Sequence, residues 1–160
     1  MDPIKHSVAV VVRGPDEGTF LVVRRPDDPA DPLAGVWGFP AVTLAAGEGE
    51  LDGVTRAGRD KLGVRLTATR RIGTRTGIQN GISLRLTEYE AVITGGTPVV
   101  PQGDASVTQY TACRYTADPG ELAEAASRGS LCSQLFLADR AIMADRGFSG
   151  DAGAPGGPAA

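Results

Sequence analysis

The sequence predicts an α/β fold, and three observations carry that prediction. Two short apolar strands, residues 7–12 and 19–23, precede an amphipathic helix at residues 51–62. A long alternating strand, residues 82–93, follows the helix. Two more helices close the chain, the first starting at Asp118-Pro119 and the second spanning residues 131–146. Strands that alternate with helical stretches build a layered domain around one sheet.

The first strand reads SVAVVV, a continuous apolar run that suits burial on both faces. A turn of glycine, proline and acidic residues at 14–18 leads to the second strand, and the two are expected to pair as a hairpin. Arg24 and Arg25 follow it. The loop PDDPADP at 26–32 excludes regular structure, and its aspartates fit no metal-loop spacing. Trp37-Gly38-Phe39-Pro40 forms a tight apolar turn before a loop of small residues that ends in Gly47-Glu48-Gly49-Glu50.

The helix at 51–62 stops at Gly63, where glycine accepts a left-handed backbone. Its inward stripe is expected to be Leu51, Val54, Gly58 and Leu62. Gly53 and Gly58 each weaken it by about 1 kcal/mol against alanine, so packing must hold it. Strand stretches at 64–69 and 70–76 lead into a turn at 76–81. The strand at 82–93 places Leu84, Leu86, Glu88 and Glu90 on one face and Thr87, Tyr89 and Ala91 on the other. Two carboxylates on an otherwise apolar face need partners or a chemical task. A last strand is expected at 106–115, carrying Tyr110. Asp118, Pro119 and Glu121 cap a helix running to about Arg128. Leu131, Leu135, Phe136 and Ile142 of the final helix suit packing on the sheet. The domain is read as residues 1–148, with a disordered Gly/Pro/Ala tail at 149–160.

The chain of 160 residues is long enough for one domain with a substantial core. Its net charge of -3 gives no basic surface for nucleic acid. No apolar stretch reaches the length of a membrane helix and no signal peptide is visible, so a cytoplasmic protein is the default. Cys113 and Cys132 read as reduced and partly buried, without a disulfide framework or metal motif. His6 is the sole histidine and no GxSxG stretch occurs, which argues against a serine hydrolase triad.

Residues 36–64 resemble the Nudix box of the MutT-like hydrolases, G-x5-E-x7-R-E-U-x-E-E-x-G-U after W-x-F-P-G, with U aliphatic. Trp37, Phe39, Pro40, Glu48, Arg56, Gly63 and Val64 match at the required spacing. Ala41 and Val42 replace the loop glycines, and Gly58 stands at an aliphatic position. The three glutamates of the helical core read Ala57, Asp60 and Lys61. The resemblance covers residues 5–148. It implies the Nudix α/β/α sandwich with a mixed central sheet, and a structural role for Arg56 in bracing the loop and the acidic residues. It also implies magnesium on a carboxylate cluster, held against a small diphosphate-bearing substrate.

The damaged box leaves a reduced candidate set. Glu48, Asp60, Glu88 and Glu90 are the candidate catalytic residues, and Glu48, Asp60 and Glu90 would hold a magnesium ion weakly if at all. Lys61, Arg24, Arg25 and Tyr110 are the candidate ligand contacts, since arginine forks fit phosphate and a lysine at this position repels a dication. Three readings stay open. One is a pyrophosphohydrolase on a nucleoside-diphosphate-linked molecule with weakened magnesium-dependent hydrolysis. Another is a binding or regulatory module that has lost hydrolysis. The third is an enzyme that uses the same cleft for acid–base chemistry. The partner is a small molecule in each case, and the resemblance leaves a homodimer open.

Overall fold

A computed structural model describes residues 4–79, 81–101 and 110–153, with side chains described through residue 146. The strands are β1 (Lys5–Val12), β2 (Phe20–Arg24), β3 (Trp37–Gly38), β4 (Ala41–Thr43), β5 (Arg65–Gln79), β6 (Ile82–Gly95) and β7 (Ala112–Thr116). Helix α1 spans Glu50–Ala57 and continues as a π-turn over Gly58–Leu62. A 3₁₀ turn at Pro119–Leu122 leads to α2 (Ala123–Ser127), and α3 covers Leu131–Gly153.

The strands form two sheets, ordered β4-β1-β6-β5 and β3-β2-β7. The first is mixed, because β1 runs parallel to β6 and antiparallel to β4. The expected β1–β2 hairpin does not form. The two strands lie in different sheets, and their backbones are joined beside the turn by the Arg13–Phe20 bridge. Burial explains the difference. Val8 to Val12 are at most 1 % exposed, and a strand apolar on both faces belongs inside a sheet, flanked on both edges.

Two apolar layers follow from the alternation along β1 and β6. Val8, Val10, Val12, Tyr89 and Ala91 pack with Val54, Ala57 and Leu62, on the side of α1. Ala9, Val11, Leu84 and Leu86 pack with Phe20, Phe39 and Phe136, on the side of α3. The three phenylalanine rings stand 4.8 to 6.1 Å apart at tilted angles, within the range that aromatic pairs favour. The apolar turn at Trp37–Pro40 thus sends Phe39 into the α3 layer, while the Pro40 carbonyl accepts from the Val10 N–H.

Several expected boundaries and faces shift. The first helix ends in a π-turn rather than a straight last turn, and Gly63 closes it with φ 67°. Its buried side is Gly53, Val54, Ala57, Gly58 and Leu62, while Leu51 is 58 % exposed. The two strand stretches at 64–76 are one strand, β5, with register shifts at Arg65/Leu66, Ala68/Arg70 and Arg71/Gly73. Those irregularities break the alternation that would have revealed a single strand. The last strand starts at Ala112 instead of 106, and residues 102–109 lie outside the described residues. The helix expected to run from 118 to 128 is a 3₁₀ turn followed by α2, capped by Asp118 Oδ1 accepting from the Gly120 N–H at 2.9 Å. Helix α3 runs past residue 146 to Gly153, and residues 154–160 lie outside the described residues. Ile142 is 53 % exposed and belongs to no core cluster, since the last buried apolar side chain among those described in the helix is Phe136.

Candidate functional site

A cleft of about 760 Å³ opens beside β4. One end is walled by Arg25 just after β2, Arg56 of α1, and Asp60 and Lys61 of the π-turn. The other end is apolar, with Leu84 and Leu86 of β6 facing Leu131 and Cys132 at the start of α3. Helical spacing explains the first grouping, because positions 56 and 60 are one turn apart and share a face. Strand alternation explains the second.

Glu48 is held within the loop. Its Oε2 accepts from Arg56 Nε and its Oε1 from the second Arg56 nitrogen, both at 2.9 Å. Oε1 also accepts from the Ala45 N–H at 2.9 Å. The Arg56 hydrogen bond, then the Ala45 N–H, hold the Glu48 pKa at about 2. Arg56 also donates to the Thr43 carbonyl at 2.6 Å, so one guanidinium ties β4, the box loop and α1 together. Asp60 is paired with Arg59 at 3.0 Å and stands 4.0 Å from Arg56.

Lys61 is half-buried, with its ammonium 5.8 Å from the centre of the Tyr110 ring. Burial pushes its pKa down, Asp60 pulls it up, and Arg56 and Arg25 push it down again. Tyr110 is a core residue whose Oη accepts from the Ala41 N–H at 3.0 Å and so anchors the start of β4. Burial raises its pKa to about 12. Arg25 is bound by Asp31 at 2.7 and 2.9 Å. Arg24 pairs with Asp27 at 3.1 Å and does not line the cleft.

Glu88 and Glu90 are not brought together with Glu48 and Asp60. They pair in register with Ala9 and Val11, on the sheet face covered by α3 and opposite α1. Glu88 is fully buried and neither of its oxygens has a hydrogen-bond partner. Burial first, then the Asp139 carboxylate, push its pKa well above the usual carboxylate range. Its charge also adds to the burial that raises Cys132 to about 11, which makes that thiol a poor nucleophile. Glu90 faces the Arg70–Asp139 pair, whose closest contact is 2.8 Å.

Glu50 is a residue that the sequence reading passes over. It starts α1 and accepts from Tyr89 Oη at 2.8 Å and Thr87 Oγ1 at 3.1 Å. His6 Nε2 stands 3.4 Å and Arg71 Nε 3.6 Å from the same carboxylate. Burial works to raise its pKa, and the Tyr89 and Thr87 hydroxyls outweigh it and hold it below the usual value. The available signal is the alternation of β6, which puts Thr87 and Tyr89 together on the face opposite Glu88.

A divalent magnesium ion needs several oxygen donors aimed at one point. The carboxylates here do not supply that. Glu48 is taken up by Arg56, Asp60 by Arg59, and Glu88 and Glu90 face away. Position 57 is a fully buried alanine. Among the described residues, no three His, Cys, Asp or Glu side chains converge as a metal site. The residues present do not fit the metal that the box implies.

No family model matches this chain, and no curated protein matches it. Solved structures do. A Nudix hydrolase from Nitrosomonas europaea superposes with a TM-score of 0.69 at 17 % identity, over 88 % of this chain and 90 % of that one. A MutT protein from Methanosarcina mazei gives 0.61 at 19 % identity, over 88 % and 96 %. A MutT Nudix hydrolase from Burkholderia pseudomallei gives 0.61 at 22 % identity, over 72 % and 84 %. The fold is therefore that of the Nudix hydrolases.

Proposed function

We propose that this chain is a Nudix-superfamily protein whose cleft takes a small molecule bearing a phosphate or diphosphate, of the nucleoside-diphosphate-linked kind. We propose further that it turns such molecules over poorly with magnesium. One observation carries both parts: the box-helix wall of the cleft presents Arg56 and Lys61 with a single carboxylate, Asp60. Arginine and lysine heads favour phosphate oxygens. The lone carboxylate, already paired with Arg59, is a weak anchor for a dication. The apolar end, with Leu84, Leu86 and Leu131, suits a ring or other apolar moiety attached to the phosphate.

Binding without hydrolysis is the second reading. It is favoured by Lys61, which puts an ammonium on the cleft wall where the box resemblance implies a metal-holding carboxylate. Both readings are tested by one experiment. ADP-ribose, nucleoside triphosphates and dinucleotide polyphosphates are incubated with the protein and magnesium, with products separated by chromatography. Turnover far below the typical enzyme rate of about 10 per second is expected. Turnover at that rate would refute the proposal of weakened hydrolysis.

A further inference from the structure

The charged side chains that line the cleft are mostly cationic. Lys5, Arg25, Arg56 and Lys61 line it, and Asp60 is the one acidic residue that does so among the described residues. Asp31 and Glu48 compensate Arg25 and Arg56 from behind, in the loops that carry them. Three of the cations are close enough to feel one another: the guanidiniums of Arg25 and Arg56 both act against the ammonium of Lys61. They come from three separate segments, the loop just after β2, α1 and the π-turn, so the fold brings them together. Like charges confined in a partly buried cleft repel, and the repulsion is relieved when an anion sits among them.

We propose that the cleft binds the phosphate end of its ligand through these fixed cations, Lys61 with Arg25 and Arg56, and without a divalent metal. This rests on the phosphate reading given above. Lys61 is the central group. It is half-buried, its stem leads past Tyr110, and it stands on the same π-turn as Asp60. A lysine ammonium is a compact point charge with three donors, able to contact a phosphate oxygen from a fixed stem. Arg25 and Arg56 are already oriented by Asp31 and Glu48, so each can turn its remaining donors to the ligand at little cost in side-chain freedom. Binding also favours the charged form of Lys61, so affinity rises as pH falls through the lysine range.

The test is isothermal titration with inorganic pyrophosphate and with ADP, each in excess chelator and in excess magnesium. Binding of comparable strength in chelator is expected. The variant Lys61→Met keeps the apolar stem and removes the charge. It is expected to weaken binding in chelator by roughly tenfold or more, the scale of one charge-assisted hydrogen bond, with unchanged thermal stability. Lys61→Arg is expected to retain part of the affinity. Lys61→Glu is expected to lose binding in chelator and to regain some of it with magnesium. Binding that needs magnesium in the unmodified protein would overturn the inference while leaving the phosphate reading intact. Unaltered binding by Lys61→Met would overturn it as well. Absence of binding by either probe under both conditions would overturn the phosphate reading and the inference with it.

Discussion

Adding one methyl group at Gly58 sets two opposite effects against each other. Gly58 has helical dihedrals, φ -61° and ψ -48°, so alanine meets no backbone strain there. In an ordinary helical position the change would stabilise by about 1 kcal/mol. The surroundings decide otherwise. A Cβ at Gly58 would stand 2.6 Å from Leu66 Cγ, 2.9 Å from its Cδ1 and 3.0 Å from the Val64 carbonyl oxygen. Leu66 is 4 % exposed within the α1-side layer, and Val64 offers backbone, so neither yields easily. Overpacking of this kind costs about 1–3 kcal/mol. The net expectation for Gly58→Ala is a loss of up to about 2 kcal/mol, which lowers Tm by up to roughly 8 °C in a chain of this size. Urea denaturation with an unchanged m-value, followed by a thermal scan, measures it. Gly53→Ala is the internal control. Its Cβ would meet only the tip of Leu44, at 2.4 Å, with Val8 next at 3.7 Å. A leucine tip can rotate away, so Gly53→Ala is expected to be neutral or stabilising. Leu66→Ala in the Gly58→Ala background is expected to show a favourable coupling in a double-mutant cycle. A raised Tm for Gly58→Ala would refute the claim that close packing, rather than mere tolerance, placed glycine there.

Two further outcomes follow from burial. Glu88 has a raised folded-state pKa, so the charge-dependent cost of its burial is absent below the unfolded value of 4.5 and grows as pH rises above it. Glu88→Met is therefore expected to stabilise at neutral pH, by about 1–3 kcal/mol, and to gain progressively less as the pH is lowered towards 4.5. Equal gains at both ends of that range, read by denaturant titration, would show that ionisation of the carboxyl is not the cause. Removal of residues 149–160 is expected to leave Tm unchanged, because Ile142 and Met143 are already exposed and, among the described side chains of α3, the last deeply buried apolar one is Phe136. A Tm lower by several degrees would show that the end of the chain docks.

Local chemistry carried a large share of this structure in the sequence itself. A continuous run of apolar, mostly β-branched residues made β1 a doubly buried strand, and glycine with its free access to positive φ ended the first helix at Gly63. Asp118 with Pro119 marked the start of the next helical turn, and strict alternation assigned Glu88 and Tyr89 to opposite faces of β6. Alternation does not say which helix covers which face. That depended on how the strands were ordered, and only the tertiary structure placed β1 beside β6 and apart from β2. The consequence reached the candidate site. Glu88 and Glu90 went under α3, away from Asp60, while Glu50 found Tyr89 and Thr87 on the other face. The inward side of α1 likewise turned on its neighbours: Val8, Leu44 and Leu66 approached Gly53 and Gly58, and Leu51 was left in solvent. Spacing along the chain sets which side chains share a face. The burial of that face, and so the charge state and partners of each carboxylate, is set by elements far away in sequence.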